Sequence, residues 1–412
     1  MIDLGRLRRE PELVIGLLKK KDPSFDGERL KLLDEEVRKL KIEVDTLRSK
    51  KNELARSAGR EGVSDTIREQ AKKLHEELEN QERTLETVLE EFNTLYLWCP
   101  NIIMDSVPEG TKDDNVVVKV YGEKPSFSFA PKNHVELGAL NGWFDFEAAS
   151  KMTGSNFALY KGEAVKLVYK LMLFMWNNNT KHGYEPFLPP YLVNEKALEG
   201  SSNFPRFKDE VYHIEDQNLY LTPTAEVNLT SLHSNRIFMT SDLPQRMTAW
   251  TSCFRKEAGT YGAAERGLIR IHQFEKVELY TLCEPSHAQE EQDRMVACAE
   301  SLLQELGLHY RISLLASQDC SFASAKTYDI EVWMPGQGVY KEVSSASNCT
   351  DFQARRSDIR YKESAGEKAH YVSTLNASSL ALPRLLVALM ETYQQPDGSI
   401  KLPSVLDAIT LR

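Results

Sequence analysis

Between Leu30 and Leu95 apolar residues recur at a three-and-four spacing, in two runs separated by one break. Leu30, Leu33, Val37, Leu40, Val44, Leu47, Lys51 and Leu54 make the first run; Ile67, Ala71, Leu74, Leu78, Gln81, Leu85, Val88, Phe92 and Leu95 make the second. A repeat of about 3.5 residues puts these side chains on one narrow stripe of an α-helix, and such a stripe is buried by pairing with another helix. The break, residues 58–65, holds two glycines and ends in Ser64 or Asp65 as a helix N-cap. The chain should fold back there as an antiparallel two-helix coiled-coil arm, which Pro100 ends. Each helix is expected to run about thirty residues, roughly 45 Å at about 1.5 Å per residue, longer than a small domain is wide. Such an arm must project.

Charge along the arm is uneven. From Arg48 to Lys73, eight lysines and arginines stand against four acids, while the rest of the arm is acidic. Charge runs on helices are usually the solvated flanks of a structural coiled coil. Two features point further: the basic tip belongs to a chain of net charge -10, and Lys51 occupies a seam position. A hairpin would loosen there and offer side chains to a phosphate backbone.

At 412 residues, 41% hydrophobic and 27% charged, the chain exceeds one ordinary core, and two domains are expected of a soluble protein. Its first ten residues lack an apolar signal segment, and the most apolar internal stretch, Leu167 to Trp176, is interrupted by Lys170 and too short to span a bilayer. The reading is a cytoplasmic protein without membrane contact. Six scattered cysteines with no Cys-x-x-Cys pair argue against a zinc site or a disulfide framework.

Chemistry concentrates between Trp250 and Glu278. Period-2 alternation aligns Ile269, Ile271, Val277 and Leu279 on one face of a strand and Arg270, His272, Phe274, Lys276 and Glu278 on the other. Before a glycine-bearing loop the same parity aligns Thr251, Cys253, Arg255 and Glu257. A hairpin would gather two arginines, two glutamates and an aromatic ring. Guanidiniums suit phosphate or carboxylate, a flat ring suits a base, and a glutamate suits an ammonium or hydroxyl. A solvated antiparallel hairpin with a charged face would carry the same spacing. Phe254-Arg-x-Glu, the loop and Arg270-x-His-Gln-Phe-x-Lys-Val-Glu together resemble the second signature motif of class II aminoacyl-tRNA synthetases, in its seryl form.

The resemblance runs along nearly the whole chain. Residues 1–103 are read as an N-terminal tRNA-binding domain, 104–133 as a proline-bearing linker and 134–412 as the catalytic domain. His134-Val-Glu-Leu-Gly through Gly154-Ser-Asn-Phe resembles the start of that domain, with Asn156 where arginine is expected. Ala164, Leu167, Val168, Leu171 and Met172 predict a helix stopping at Asn177-Asn-Asn and Gly183, followed by an edge strand bearing Pro189 and Pro190. This order resembles the first class II motif, which builds a homodimer contact. Thr224 and Glu226, by themselves a strand end or helix cap, resemble the family's Thr-x-Glu element. Glu342 to Arg356 matches the seryl pattern. Ser373 to Glu391 resembles the third motif, with Pro383 where glycines often precede the arginine, here Arg384.

The resemblance implies an α+β fold, a class II antiparallel β-sheet core flanked by helices, and conversion of L-serine and ATP to seryl-adenylate before transfer to tRNA. It implies catalytic roles for Arg255, Glu342 and Arg384. Serine contacts would come from Thr224, Ala225, Glu226, Arg255, Glu278, Asn376 and Ser378. ATP contacts would come from Arg255, Lys256, Glu257, Arg270, Ile271, Phe274, Glu342, Val343, Ser344, Ser345 and Arg384. Mg²⁺ would accompany ATP at Glu342 and Ser345, and no zinc is expected. Lys51, Arg56 and Arg60 would meet serine tRNA, and selenocysteine tRNA as a further substrate, in a homodimer whose arm reaches across. Two rivals differ in class: a ligase loading a carrier protein, with little use for a basic-tipped arm, and a non-catalytic RNA-binding paralogue, expected to lose Arg255, Glu278 or Glu342.

Overall fold

The computed structural model describes residues 1–61, 64–258 and 267–410. Gly62 and Val63 of the arm's turn, and most of the loop after Glu257, lie outside the described residues. The chain divides into two compact units, Asp3–Pro100 and Asn101–Arg412.

The first unit holds two short helices and then the pair Gly27–Glu61 and Asp65–Leu97, of 35 and 33 residues. The seam positions Leu30, Leu33, Val37, Leu40, Val44 and Leu47 are buried, as are Leu78 and Phe92 opposite. Ion pairs Arg29–Glu91 and Arg48–Glu82 cross between the helices in antiparallel order. The first helix continues to Glu61, past Ala58 and Gly59, so the turn is shorter than the break in the sequence pattern. A helical glycine costs only about 1 kcal/mol, less than opening a turn early would forfeit. Ser64 caps the second helix, accepting the Ile67 N–H at 3.2 Å. Lys51, Arg56 and Arg60 are exposed, whereas Arg48, Arg68, Lys72 and Lys73 are engaged with acids of the same hairpin.

The second unit is built on an eight-stranded sheet. Its spatial order is Val116–Tyr121, Tyr310–Leu314, Lys326–Met334, Val339–Asn348, Ser373–Ala381, Gln273–Cys283, Gln245–Phe254 and Glu185–Phe187. Every pairing is antiparallel except the last, where Glu185–Phe187 lies parallel at the edge and ends before Pro189 and Pro190, which stand outside the ladder and not in the strand as expected. Helices Glu163–Lys181, Ala288–Glu305 and Leu382–Thr392 bury Leu171, Leu303 and Leu386 against Val277, Ile330 and Val332 on one face. The short helix Ala225–Leu232 packs on the other face, where Ala225 and Leu229 join Met247, Ala249 and Tyr280. The free part of that second face holds the polar residues.

Two sequence expectations are corrected. Residues 104–133 are not only linker, because Val116–Tyr121 forms an edge strand of the sheet; its β-branched run outweighs the flanking prolines. The asparagines at 177–179 do not stop their helix, which runs to Lys181. Asn179 donates to Thr248 Oγ1 at 2.9 Å and Asn178 to the Cys298 carbonyl at 2.9 Å, so these buried amides tie the helix to its neighbours.

Candidate active site

The hairpin that carries the charged residues is shorter than the alternation predicts. Strand Gln245–Phe254 ends before Arg255, and the return strand begins at Gln273, so Arg270 and His272 precede it. One further rung closes the hairpin: the Arg255 N–H donates to the His272 carbonyl at 2.9 Å, and His272 Nδ1 lies 3.0 Å from the Arg255 carbonyl. The His272 N–H in turn donates to the carbonyl of Asn156, whose left-handed backbone (φ 61) suits asparagine. Within the strands the predicted face is realised, Cys253 facing Phe274 and Thr251 facing Lys276.

Two cavities meet here. The smaller, about 260 Å³, is lined by Arg270, Phe274, Lys276, Glu342, Ser378 and Arg384. The larger, about 410 Å³, is lined by Thr224, Glu226, Ser202, Phe207 and Phe322. Arg255, Glu257 and Arg270 belong to both and form the wall between them. A still larger cavity of about 490 Å³, around Leu188, Pro190 and Leu232, contains none of these charges, so chemistry and not size selects the site.

Three guanidiniums stand in different states. Arg270 is paired with Glu257 at 2.5 Å. Arg384, at the first turn of its helix beside Pro383, donates to the Glu342 carbonyl at 2.9 Å and approaches its carboxylate at 3.4 Å. Arg255 donates through Nε to the Pro223 carbonyl at 3.2 Å and lies 5.2 Å from the Phe274 ring centre, with no carboxylate partner among the described residues. Its remaining N–H groups are therefore available to a ligand.

Thr224 and Glu226 line the larger cavity, and Thr224 connects them to Lys276 and Glu278, which do not line it. Lys276, buried, donates to Thr224 Oγ1 at 2.7 Å and pairs with the buried Glu278 at 2.5 Å; Thr224 also meets Glu278 at 3.2 Å. Thr224 caps helix Ala225–Leu232 as well, so its two readings hold together. Half-buried Glu226 accepts from Gln353 Nε2 at 2.6 Å and from Asn376 Nδ2 at 3.1 Å. Loss of water around this carboxyl and the charge of Glu278 push it up to about 7.

The strand Val339–Asn348 answers a question of parity. Glu342 and Ser345, three apart, would face opposite sides of a regular strand. The register slips between Ile330 and Glu331: Glu331 faces Glu342, Ile330 faces Ser344 and Asp329 faces Ser345, leaving Val343 as the extra residue. This bulge returns Glu342 and Ser345 to one face, beside Asp329. Burial and the neighbouring Glu342 raise Asp329 well above the ordinary carboxylate range, and its Oδ1 is buried without a partner.

Several implied contacts are not made by side chains lining these cavities. Val343 and Ala225 are fully buried in hydrophobic clusters. The Ser344 hydroxyl is spent on the Ser378 carbonyl, Lys256 lies 5.9 Å from the Tyr212 ring centre, and Glu278 and Asn376 line neither cavity, whereas Ile271, though mostly buried, borders the smaller one. Ser378 lines the smaller cavity and not the one floored by Glu226. Lys276 and Gln353 carry polar contacts that sequence reasoning assigned to no role. Lys276 is signalled by its place on the polar face; Gln353 lies in the stretch Glu342–Arg356 that matches the seryl pattern, on the helix Phe352–Ser357, but its reach to Glu226 has no local signal.

Residues 1–103 match the seryl-tRNA synthetase N-terminal domain, and residues 207–393 match the class II tRNA synthetase core domain shared by the G, H, P, S and T enzymes. The chain is 43% identical to the serine–tRNA ligase of Oleidesulfovibrio alaskensis over 98% of its own length and 96% of that protein. The chain belongs to the seryl-tRNA synthetases. The family likeness extends to Chlamydia felis, whose serine–tRNA ligase is 44% identical over 98% of this chain and 97% of that one. In three dimensions the crystal structure of the Pyrococcus horikoshii seryl-tRNA synthetase complexed with ATP is similar, with a TM-score of 0.92, 35% identity and coverage of 99% of this chain and 98% of that chain.

Proposed function

We propose that this protein activates L-serine with ATP and transfers the seryl group to the 3′ end of serine tRNA. The observation that carries the reading is the shared wall of Arg255, Glu257 and Arg270 between a basic cavity and a second cavity lined by Thr224 and Glu226. A carboxylate oxygen of serine attacks the α-phosphorus of ATP, the bond to the bridging oxygen breaks, and pyrophosphate leaves. Arg255 neutralises charge shared by the incoming carboxylate and the α-phosphate. Glu226 receives the ammonium or hydroxyl of serine, oriented by Asn376, and the buried Glu278 acts on this pocket through Thr224. Phe274 stacks on adenine, Glu257 reaches its amino edge, and Arg270 and Arg384 hold phosphates. A terminal ribose hydroxyl of tRNA then attacks the seryl carbonyl and AMP departs. No protein nucleophile is needed; positioning and charge supply the rate.

A cation fits this arrangement. Glu342 and Ser345 share a face through the bulge, Asp329 Oδ1 beside them lacks a partner, and hard oxygens suit Mg²⁺. Among the described residues no group of three or more histidines, cysteines or acids could hold an ion unaided. One or two protein oxygens with phosphate and water is the usual manner of Mg²⁺, which screens the triphosphate when bound. Glu342→Gln should raise the Mg²⁺ concentration needed for half-maximal activity; an unmoved titration would place the ion elsewhere.

The deciding experiment is pyrophosphate exchange into ATP with each amino acid in turn. Exchange dependent on serine alone is expected, and its absence with a folded protein would reject the reading. A pH profile tests the floor of the amino-acid cavity. A folded-state carboxyl raised to about 7 is neutral at pH 6 and charged at pH 8, so kcat/KM for serine should rise through about 7. The same proton makes Glu226 stabilising at low pH, a contribution lost as pH rises through about 7. Glu226→Gln should flatten that limb of the profile; a wild-type profile already flat from pH 6 to 8 would remove Glu226 from ammonium binding.

We read residues 1–103 as tRNA-binding and 134–412 as catalytic, with the segment between them adding the edge strand Val116–Tyr121 to the catalytic sheet, in a cytoplasmic homodimer that also charges selenocysteine tRNA. The exposed Leu188 and Leu192 beside the edge strand support self-association. A monomer in sedimentation at micromolar concentration would refute it, and failure to charge selenocysteine tRNA would remove that substrate. No described helix is long and apolar enough to cross a membrane.

A further inference from the structure

Arg270, Glu342 and Arg384 reach the smaller cavity from three separate segments, and one buried pair outside the cavity touches all three. Glu391, on the same helix as Arg384, is fully buried. Its Oε1 accepts from the His134 N–H at 3.0 Å, His134 Nδ1 at 3.1 Å and Gln337 Nε2 at 2.9 Å; its Oε2 accepts from the Gly336 N–H at 2.9 Å. Gly336 and Gln337 form the turn that leads into the strand carrying Glu342. With Nδ1 donating to Glu391, Nε2 of the imidazole is left as an acceptor, and the Leu268 N–H donates to it at 3.2 Å. Leu268 stands two residues before Arg270. The next carbonyl, that of Ile269, accepts from Arg384 Nε at 3.4 Å. His134 is 2% exposed, and Gly267, at φ +69, passes so close that a Cβ there would overlap the imidazole.

We infer that His134, fixed by Glu391, is a positioning residue that sets the segment Gly267–Arg270 against the arginines and Glu342 of the smaller cavity. The inference rests on the reading of that cavity as the ATP site. A carboxylate saturated by four donors cannot turn, so it locks the ring's tautomer and plane, and the locked ring holds one backbone N–H. Neither His134 nor Glu391 lines the cavity, so both act through Leu268.

Two substitutions separate this role from simple packing. His134→Asn keeps a side-chain donor near the Nδ1 position for Glu391 but has no acceptor for Leu268; His134→Gln can extend its carbonyl toward Leu268. In pyrophosphate exchange, His134→Asn should raise KM for ATP about tenfold, the worth of one hydrogen bond left unmade, while KM for serine stays within about twofold. His134→Gln should recover most of the loss. Hydrogen exchange at the Leu268 amide, read by mass spectrometry, should accelerate about tenfold in His134→Asn and not in His134→Gln. Should His134→Asn fail to fold, Gly267→Ala, which crowds the ring from the other side, should give the same KM split. Unchanged KM for ATP, equal rises in both KM values, or unaltered Leu268 protection would overturn the inference. Absence of serine-dependent exchange in the wild type would instead sink the functional reading and leave the Leu268 measurement to judge the clasp.

Discussion

Replacing Leu30–Leu95 by a short linker should leave serine-dependent pyrophosphate exchange nearly intact while tRNA charging falls by orders of magnitude. Every group assigned to serine and ATP lies in the unit Asn101–Arg412, which contains both cavities, and the hairpin lies in the other unit. On the proposed reading the hairpin contributes affinity and register for RNA, and binding energy of that kind is spent on the second half-reaction. Its cations are unequally available. Arg48 is paired with Glu82, and Lys73 with Glu69, whereas Lys51, Arg56 and Arg60 are exposed without an ion-pair partner among the described residues. Lys51→Ala with Arg56→Ala should therefore weaken tRNA binding and reduce its salt slope by about two counterions' worth. Loss of both activities in a protein that still folds would end the division of labour, and an unchanged slope would mean that the tip does not meet phosphate.

The arm was legible because a coiled coil writes its contacts into sequence spacing: Leu33 and Val37 are buried for the reason their positions announce. The break is only shorter than expected, since glycine weakens a helix without ending it, and Lys51 is exposed instead of lying in the seam. The face bearing Phe274, Lys276 and Glu278 was equally legible, strand alternation being a local property. What escaped was whatever depends on partners distant in the chain. Pairing between strands 326–334 and 339–348 decides where the bulge falls, and the bulge alone puts Glu342 and Ser345 on one side. Spacing gave the opposite parity. Glu278 is expected to meet serine, whereas it is buried and paired with Lys276, two residues away on the same face. The residues that orient Glu226 come from positions 353 and 376, and nothing near Thr224 in the sequence names them.

Resemblance supplied roles that geometry then sorted. Ala225 and Val343 sit inside matched motifs, yet their side chains are core, so a motif position identifies a stretch of backbone and not every side chain along it. The arginines show the reverse. All three are expected at ATP, and the structure distinguishes them by what each already holds: Arg270 a carboxylate, Arg384 two carbonyls and a carboxylate, Arg255 one carbonyl.

That difference sets the size of the second large effect. Arg255→Ala should slow pyrophosphate exchange about a hundredfold or more, a loss of roughly 2–4 kcal/mol in transition-state stabilisation. On the proposed roles Arg270 would exchange Glu257 for phosphate when ATP binds, so part of its gain would be offset by the pair it gives up at 2.5 Å. Arg255 gives up no such partner. It also stands on the wall common to both cavities, where the serine carboxylate and the α-phosphate have to meet. Charge rises between those two groups as the new bond forms, and a guanidinium held there by Pro223 stabilises the transition state more than either substrate alone. The substitution should therefore lower kcat more than it raises KM for either substrate. Arg270→Ala should show the opposite balance, mainly a higher KM for ATP, and should release Glu257. If Arg255→Ala changed only KM, or left the exchange rate near wild type, the charge at the junction would have to be met by Arg270 or Lys276, and the order of importance argued from their partners would be reversed.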